Sequence, residues 1–222
     1  MTEIIVELIR LVPSLLWFAL IVGFFILFQD QIKALLKKLS GFKAMGVELS
    51  FVKESFDEAV RLAQKRDERI VELAEKAPQW KVEISGEDKE RALNRVKHHL
   101  ELFKSSKILW VDDFPENNVN ECRMFRSLGV SIDQVLSTRE ALEVLKQKRY
   151  DVVLSDMSRG KEAAAGLKFI KAFREFDQST PVIFYVGTFL PEKGVPPYAF
   201  GITKRPDELL HLVLDALERK KY

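Results

Sequence analysis

The chain has 222 residues, and its 35 Lys and Arg against 33 Asp and Glu leave a net charge of +2. That balance gives no bulk electrostatic case for nucleic-acid binding, and 31% charged with 47% hydrophobic residues fits a folded chain rather than a disordered one. Cys122 is the single cysteine, which excludes an intrachain disulfide and any metal site built on two or more cysteines of one chain.

The first element is apolar. Leu11 to Phe28, LVPSLLWFALIVGFFILF, carries no charge. As a helix it would span ~27 Å, close to the ~30 Å hydrocarbon core of a bilayer. A cleaved signal peptide needs a basic start, a shorter apolar run and a small-residue cleavage site. Here the start carries Glu3 and Glu7, and the run leads into a basic stretch, so residues 1–30 read as an uncleaved transmembrane anchor. Lys33, Lys37, Lys38 and Lys43 follow the span and only Arg10 and the amino terminus precede it. The positive-inside rule then places the amino terminus outside and the rest in the cytoplasm, here of a bacterial inner membrane crossed once. Residues 31–51 form a juxtamembrane segment. Its Ile32 to Leu39 stretch is either an interfacial helix or an extension of the span, and Val47, Leu49 and Phe51 alternate as in a short strand.

From Val52 the period changes. Val52, Phe56, Ala59, Ala63, Ile70, Leu73 and Ala77 fall at alternating steps of four and three, with Arg66 out of pattern. This is a heptad seam that either pairs with another chain or folds against the following domain. Pro78 ends it. Lys81 to Ser85 alternates as a second short strand, and a helix then runs from Gly86 through Ala92, Val96, Leu100 and Phe103. Residues 52–105 therefore read as a helical stalk, with a domain boundary at Ser105-Ser106 and a last domain over 106–222.

In that domain strands and helices alternate. The strands are KILWV from Lys107, Ser131 to Leu136, DVVL from Asp151, VIFYV from Val182 and Phe200 to Thr203. The helices are Asn117 to Leu128, one opened by a Ser137/Glu140 capping box, Gly166 to Phe176, and Pro206 to Leu217. Near-continuous apolar strands alternating with helices predict an α/β fold, a doubly wound, parallel five-stranded sheet covered on both faces. Only about thirteen residues separate VIFYV from the last strand, and Pro191, Pro196 and Pro197 lie among them, so no full helix is expected there.

Ligands of such sheets bind beyond the carboxyl ends of the strands. Asp112 and Asp113 follow the first strand and Asp156 follows the third, so three carboxylates meet in one crevice. Oxygen ligands in such a set suit a hard divalent cation, and the third carboxylate could act as a nucleophile toward phosphorus. ILWVDD, YDVVLSDM, TPVIFYVG and GITKRPDELL together resemble the receiver domain of bacterial response regulators, over roughly Lys107 to Leu217. The resemblance implies a receiver/flavodoxin-like fold in which Mg2+ is held by Asp112, Asp113, Asp156 and the backbone carbonyl of Ser158. It implies Asp156 as phosphoacceptor, Lys204 as the contact to the phosphoryl oxygen, and a histidine kinase or other phosphoryl donor as partner. Three departures stand out. Val186 occupies the place of the usual Ser or Thr, with Thr188 two residues on as the remaining candidate. Arg205 separates Lys204 from Pro206. The proline expected after Asp156 is missing.

His98-His99 lacks partner ligands and reads as a solvated pair. With no phosphate loop and no Ser-His-Asp order, the chain is not read as an enzyme. The expectation is a membrane-anchored signalling protein, self-associating, whose receiver-like domain responds to phosphorylation or to a ligand. The alternative is a membrane-disrupting effector of the anti-phage type, in which activation clusters the membrane helices.

Overall fold

The computed structural model describes residues 17, 20, 24, 27–32, 50–66, 83–187 and 194–221. The chain forms two compact units, Met1–Val47 and Glu48–Tyr222. In the first, Trp17, Leu20, Phe24 and residues 27–32 are helical, and the large apolar side chains at 17, 20, 24, 27 and 28 are exposed. The rest of the expected span lies outside the described residues. Among the described residues no helix is long and apolar enough to cross a membrane.

The second unit opens with helix α1, described over residues 50–66. The predicted strand through Phe51 is not formed at its described end: residues 50 and 51 are already helical, and 47–49 lie outside the described residues. Three apolar residues at every second position are too few to fix a strand once a helical seam continues from them. The seam itself is real. Val52, Phe56, Ala59, Val60 and Ala63 are all buried within this one chain. Of the two readings left open for it, folding against its own domain is the one observed over 50–66; Ile70, Leu73 and Ala77 lie outside the described residues. Asp57 bonds Lys89 Nζ at 3.0 Å, tying α1 to the next helix.

Helices α2 (Gly86–His98) and α3 (Leu100–Phe103) follow. The second predicted strand, Lys81 to Ser85, is absent over its described residues 83–85. Ser85 is instead the N-cap of α2. Its Oγ accepts from the Asp88 N–H, and the Asp88 carboxylate accepts from the Ser85 N–H, a closed capping box. Acidic residues in the first turn of α2 and basic ones in the last complement its dipole. The expected single helix to Phe103 breaks at His99. Ala92, Val96, Leu100 and Phe103 are buried as their spacing required, and α2 and α3 pack on the closing helix of the sheet domain. The packing is therefore continuous through Ser105-Ser106, where the sequence suggested a boundary.

The sheet comprises β1 (Lys107–Val111), β2 (Ser131–Val135), β3 (Val152–Ser155), β4 (Val182–Tyr185) and β5 (Gly201–Thr203). It is wholly parallel, in the order β2-β1-β3-β4-β5. Between the strands run a 3-10 turn (Pro115–Asn118) leading into α4 (Val119–Ser127), then α5 (Thr138–Gln147) and α6 (Ala165–Phe173), and α7 (Pro206–Lys221) closes the chain. Ser137 caps α5 by accepting from the Glu140 N–H, and the Glu140 carboxylate accepts from the Leu136 N–H. The predicted layers follow. One core contains Leu109, Val111, Val153, Val182 and Phe184 with Ala141, Leu145, Phe169 and Phe173 from α5 and α6. Helices α4 and α7 pack against the sheet as well. The described part of the β4–β5 connection, 186–187 and 194–200, contains no helix, as its prolines required.

Candidate functional site

The carboxyl ends of β1 and β3 lie side by side, because Val111 pairs with Ser155 in the parallel register. The next residues are therefore brought together. The Asp112 N–H bonds the Val135 carbonyl at 3.0 Å, and the Asp156 N–H bonds the Val111 carbonyl at 2.9 Å. Asp112, Asp113 and Asp156 each offer an oxygen within 4.8 Å of the others. These are the three carboxylates the sequence singled out.

Each is held differently. Asp112 is buried; its Oδ1 accepts from the Phe114 N–H at 2.8 Å and its Oδ2 from Asn118 Nδ2 at 2.5 Å. Asp113 Oδ2 accepts from the Gly160 N–H at 2.7 Å, joining the loop after β1 to the loop after β3. Burial raises Asp156 above the usual carboxylate range; the N–H groups of Met157 and Ser158 oppose the rise and the Asp112 charge adds to it. Asp112 is raised too, chiefly by burial. Two carboxylates held high by burial and by a neighbouring carboxylate, Asp113 beside Asp112 and Asp112 beside Asp156, are poised to gain from a cation. The set consists of hard oxygen donors on two adjacent loops, which fits Mg2+.

Ser158 lies on the exposed loop after Asp156, its Oγ donating to the Ala163 carbonyl at 3.2 Å. That loop is tightly backed. A Cβ at Gly166 would stand 2.7 Å from the Phe184 ring and 2.9 Å from the Asp156 carbonyl, so α6 can approach Asp156 only with glycine there. Lys204 follows β5 directly and is half-buried. Thr188 lies outside the described residues, and Val186, at the end of β4, is buried and apolar. The inserted Arg205 turns away toward α2. It bonds Asp207 at 2.6 Å, the Glu83 carbonyl at 3.2 Å and Asp88 at 3.5 Å, so it joins the start of α7 to the start of α2. His98 bonds the Asn94 carbonyl and His99 approaches Glu218 at 3.4 Å, contacts between and along helices.

Two features escaped the sequence. Arg159 is buried beside the acid cluster. Its Nη1 donates to Ser155 Oγ and the Asp156 carbonyl, both at 2.8 Å, and its Nη2 to Thr138 Oγ1 at 3.0 Å. Burial lowers its pKa, while Asp156, Asp113 and Asp112 oppose the fall. It is thus a built-in counter-charge to the cluster; nothing in a lone arginine on a polar loop signals this. The second feature is a bond from Tyr185 Oη to Glu121 Oε1 at 2.7 Å, both residues buried. Glu121 lies four residues before Phe125, on the inward face of α4, and Tyr185 ends an apolar strand. A charge on an apolar face and a phenol in a buried strand both require a partner, and that was the available signal.

A parallel five-stranded α/β domain with carboxylates beyond β1 and β3 has the architecture of a receiver. The response regulator receiver domain is the family whose model matches, over residues 108–192. Similar solved structures include the chemotaxis response regulator CheY4 of Vibrio cholerae, 27% identical over 51% of this chain and 97% of that one, with a TM-score of 0.41. The response regulator TrrA of Thermotoga maritima, in complex with Mg2+-BeF, is 22% identical over 50% and 98%, with a TM-score of 0.45. A Francisella response regulator receiver domain is 24% identical over 52% and 99%, with a TM-score of 0.47. None of the curated proteins matches the chain.

Proposed function

We propose that this protein is a membrane-anchored signal receiver in which Asp156 accepts a phosphoryl group from a histidine kinase or a small-molecule donor. The observation that carries the reading is the convergence of Asp112, Asp113 and Asp156 within 4.8 Å at the ends of β1 and β3. Asp112, Asp113, Asp156 and the Ser158 carbonyl would hold Mg2+, which when bound supplies positive charge to the carboxylates and to the transferred group. One Oδ of Asp156 attacks phosphorus. The bond from phosphorus to the donor breaks, its electron pair leaves with the donor, and an acyl phosphate remains. Asp112 stays aligned through Phe114 and Asn118, and the Gly160 N–H fixes Asp113. Lys204, at the end of β5, would meet a phosphoryl oxygen, and Thr188 remains the candidate hydroxyl after β4. Acceptance is stoichiometric, so the chain acts as a receiver of signal and not as an enzyme with steady turnover.

The membrane reading rests on Leu11 to Phe28 and on the exposed, helical Trp17, Leu20, Phe24, Leu27 and Phe28. With Lys33, Lys37 and Lys38 beyond it, the span would orient the receiver toward the cytoplasm of a bacterial inner membrane. The output is a change in self-association. Nothing among the described residues favours the membrane-disrupting alternative.

The test is the intact mass of the full chain after incubation with Mg2+ and acetyl phosphate. One added phosphoryl group is expected, lost in Asp156→Asn. No adduct in the presence of bound Mg2+ would overturn the reading.

A further inference from the structure

Helix α1 lies outside the residues that match the receiver model, yet it forms a wall of the acid site. A cleft of about 830 Å³ has Asp112 and Asp156 among its lining on one side and Leu62, Lys65 and Arg66 of α1 on the other. Two carboxylates suited to a cation thus face two cations suited to an anion. Arg66 is half-buried in this wall. Its Nη2 donates to the Asn117 carbonyl at 3.4 Å, a long bond to a neutral acceptor and therefore a weak one. Its Cδ lies 3.9 Å from where a Cβ on Gly187 would stand, two residues beyond the end of β4. Its charge also reaches the buried Glu121, where it works against the rise that burial imposes. Arg66 therefore sits beside the strand end at which the Val186 side chain offers no hydrogen-bonding group.

We propose that Arg66 reads the phosphoryl group on Asp156: its guanidinium exchanges the Asn117 carbonyl for phosphoryl oxygens and draws α1 onto the cleft. This rests on Asp156 being the acceptor and adds a contact from outside the receiver fold. An acyl phosphate carries roughly −1.5 to −2 units of charge where the carboxylate carried a single one, and it extends strong acceptor oxygens into the cleft. A guanidinium meets such oxygens with paired, charge-assisted bonds about twice as strong as a neutral one. The exchange is therefore favourable in sign. Arg66 is the residue that falls out of the heptad seam. A seam position occupied by arginine is wasted in packing; here it is the position that faces the acid site.

The experiment uses the full chain with Mg2+ and beryllium fluoride as the phosphoryl mimic, read by hydrogen exchange in peptides spanning 60–66 and 152–160. In the wild type, both peptides gain protection, the α1 peptide by about tenfold, the worth of one charge-assisted bond. In Arg66→Ala, α1 gains none, and protection at 152–160 requires about tenfold more beryllium fluoride. Arg66→Lys, which keeps the charge, restores part of both; a residue that merely props the Asn117 turn would protect α1 equally with and without beryllium fluoride. If 152–160 is protected in the wild type while α1 is unchanged, the role of Arg66 is overturned and the acceptor reading stands. If neither peptide responds and acetyl phosphate leaves no adduct, both fall. Equal protection of α1 in Arg66→Ala and in the wild type also overturns the proposal.

Discussion

Replacing Phe56 by alanine tests whether the stalk seam is an internal part of the unit that holds the sheet. Phe56 is fully buried, while Phe51, five positions earlier in the same helix, is 57% exposed. Truncating a buried phenylalanine costs about 3–5 kcal/mol, whereas an exposed one changes stability by about 0.5 kcal/mol or less. With a urea dependence of about 2 kcal/mol per molar, Phe56→Ala lowers the unfolding midpoint by roughly 1.5–2.5 M and Phe51→Ala by about 0.25 M or less. The assay is urea unfolding followed by circular dichroism, at two protein concentrations tenfold apart. Because the seam is covered by its own chain, the midpoint of this transition is the same at both. Similar shifts for the two variants would refute the docking of α1. So would a midpoint that rises with concentration in the wild type and loses that dependence in Phe56→Ala, since the seam would then be covered by a second chain.

Asp156→Asn removes one of three clustered negative charges, so it raises the melting temperature of the metal-free protein and shrinks the further rise given by Mg2+; a lower melting temperature without Mg2+ counts against the cluster being electrostatically strained. Burial holds Glu121 above the ordinary carboxylate range. The folded state then binds that proton more tightly than the unfolded state, and this group's contribution to stability falls as pH rises through the carboxylate range. Glu121→Gln removes the loss, so the stability difference between variant and wild type, measured by urea unfolding, grows in favour of the variant from pH 4 to pH 8; a difference independent of pH contradicts the assignment. Tyr185→Phe leaves the Glu121 carboxylate buried without its phenol partner and costs about 1–3 kcal/mol by the same measurement. Arg205→Ala strips the buried Asp207 of its guanidinium and releases the start of α2, costing about 2 kcal/mol; faster hydrogen exchange over residues 83–90 is the local signature, and unchanged exchange there would detach Arg205 from α2.

The sheet was legible because its central strands β1, β3 and β4 are nearly unbroken apolar runs between turn signals, a pattern that a parallel sheet covered on both faces demands. The acid cluster was legible for a related reason: Asp112 and Asp156 follow β1 and β3 directly and Asp113 follows Asp112, so the strand register places them. What the chain order could not reveal was where a helix docks. The spacing of Val52, Phe56, Ala59 and Ala63 defines an apolar seam equally well for a partner chain and for its own domain, and only the tertiary fold chooses. Over residues 83–85, the described end of the alternation from Lys81, no strand forms because Ser85 and Asp88 satisfy the N–H groups of a helix start, a local demand that outweighs two or three alternating residues. Arg159 stayed hidden because its burial arises from the folding of a polar loop, and loops carry no periodic signal.

The docking of α1 also has a consequence for the making of the protein. The acceptor to which Arg66 bonds, the Asn117 carbonyl, lies 51 residues later in the chain. At a synthesis rate of about 5–20 residues per second, the ribosome extends the chain for roughly 3–10 seconds between the two. During that interval Val52, Phe56 and Val60 have no finished domain to enter. The nascent chain therefore presents an apolar seam to its surroundings before its cover exists, and folding of the sheet domain is what withdraws it.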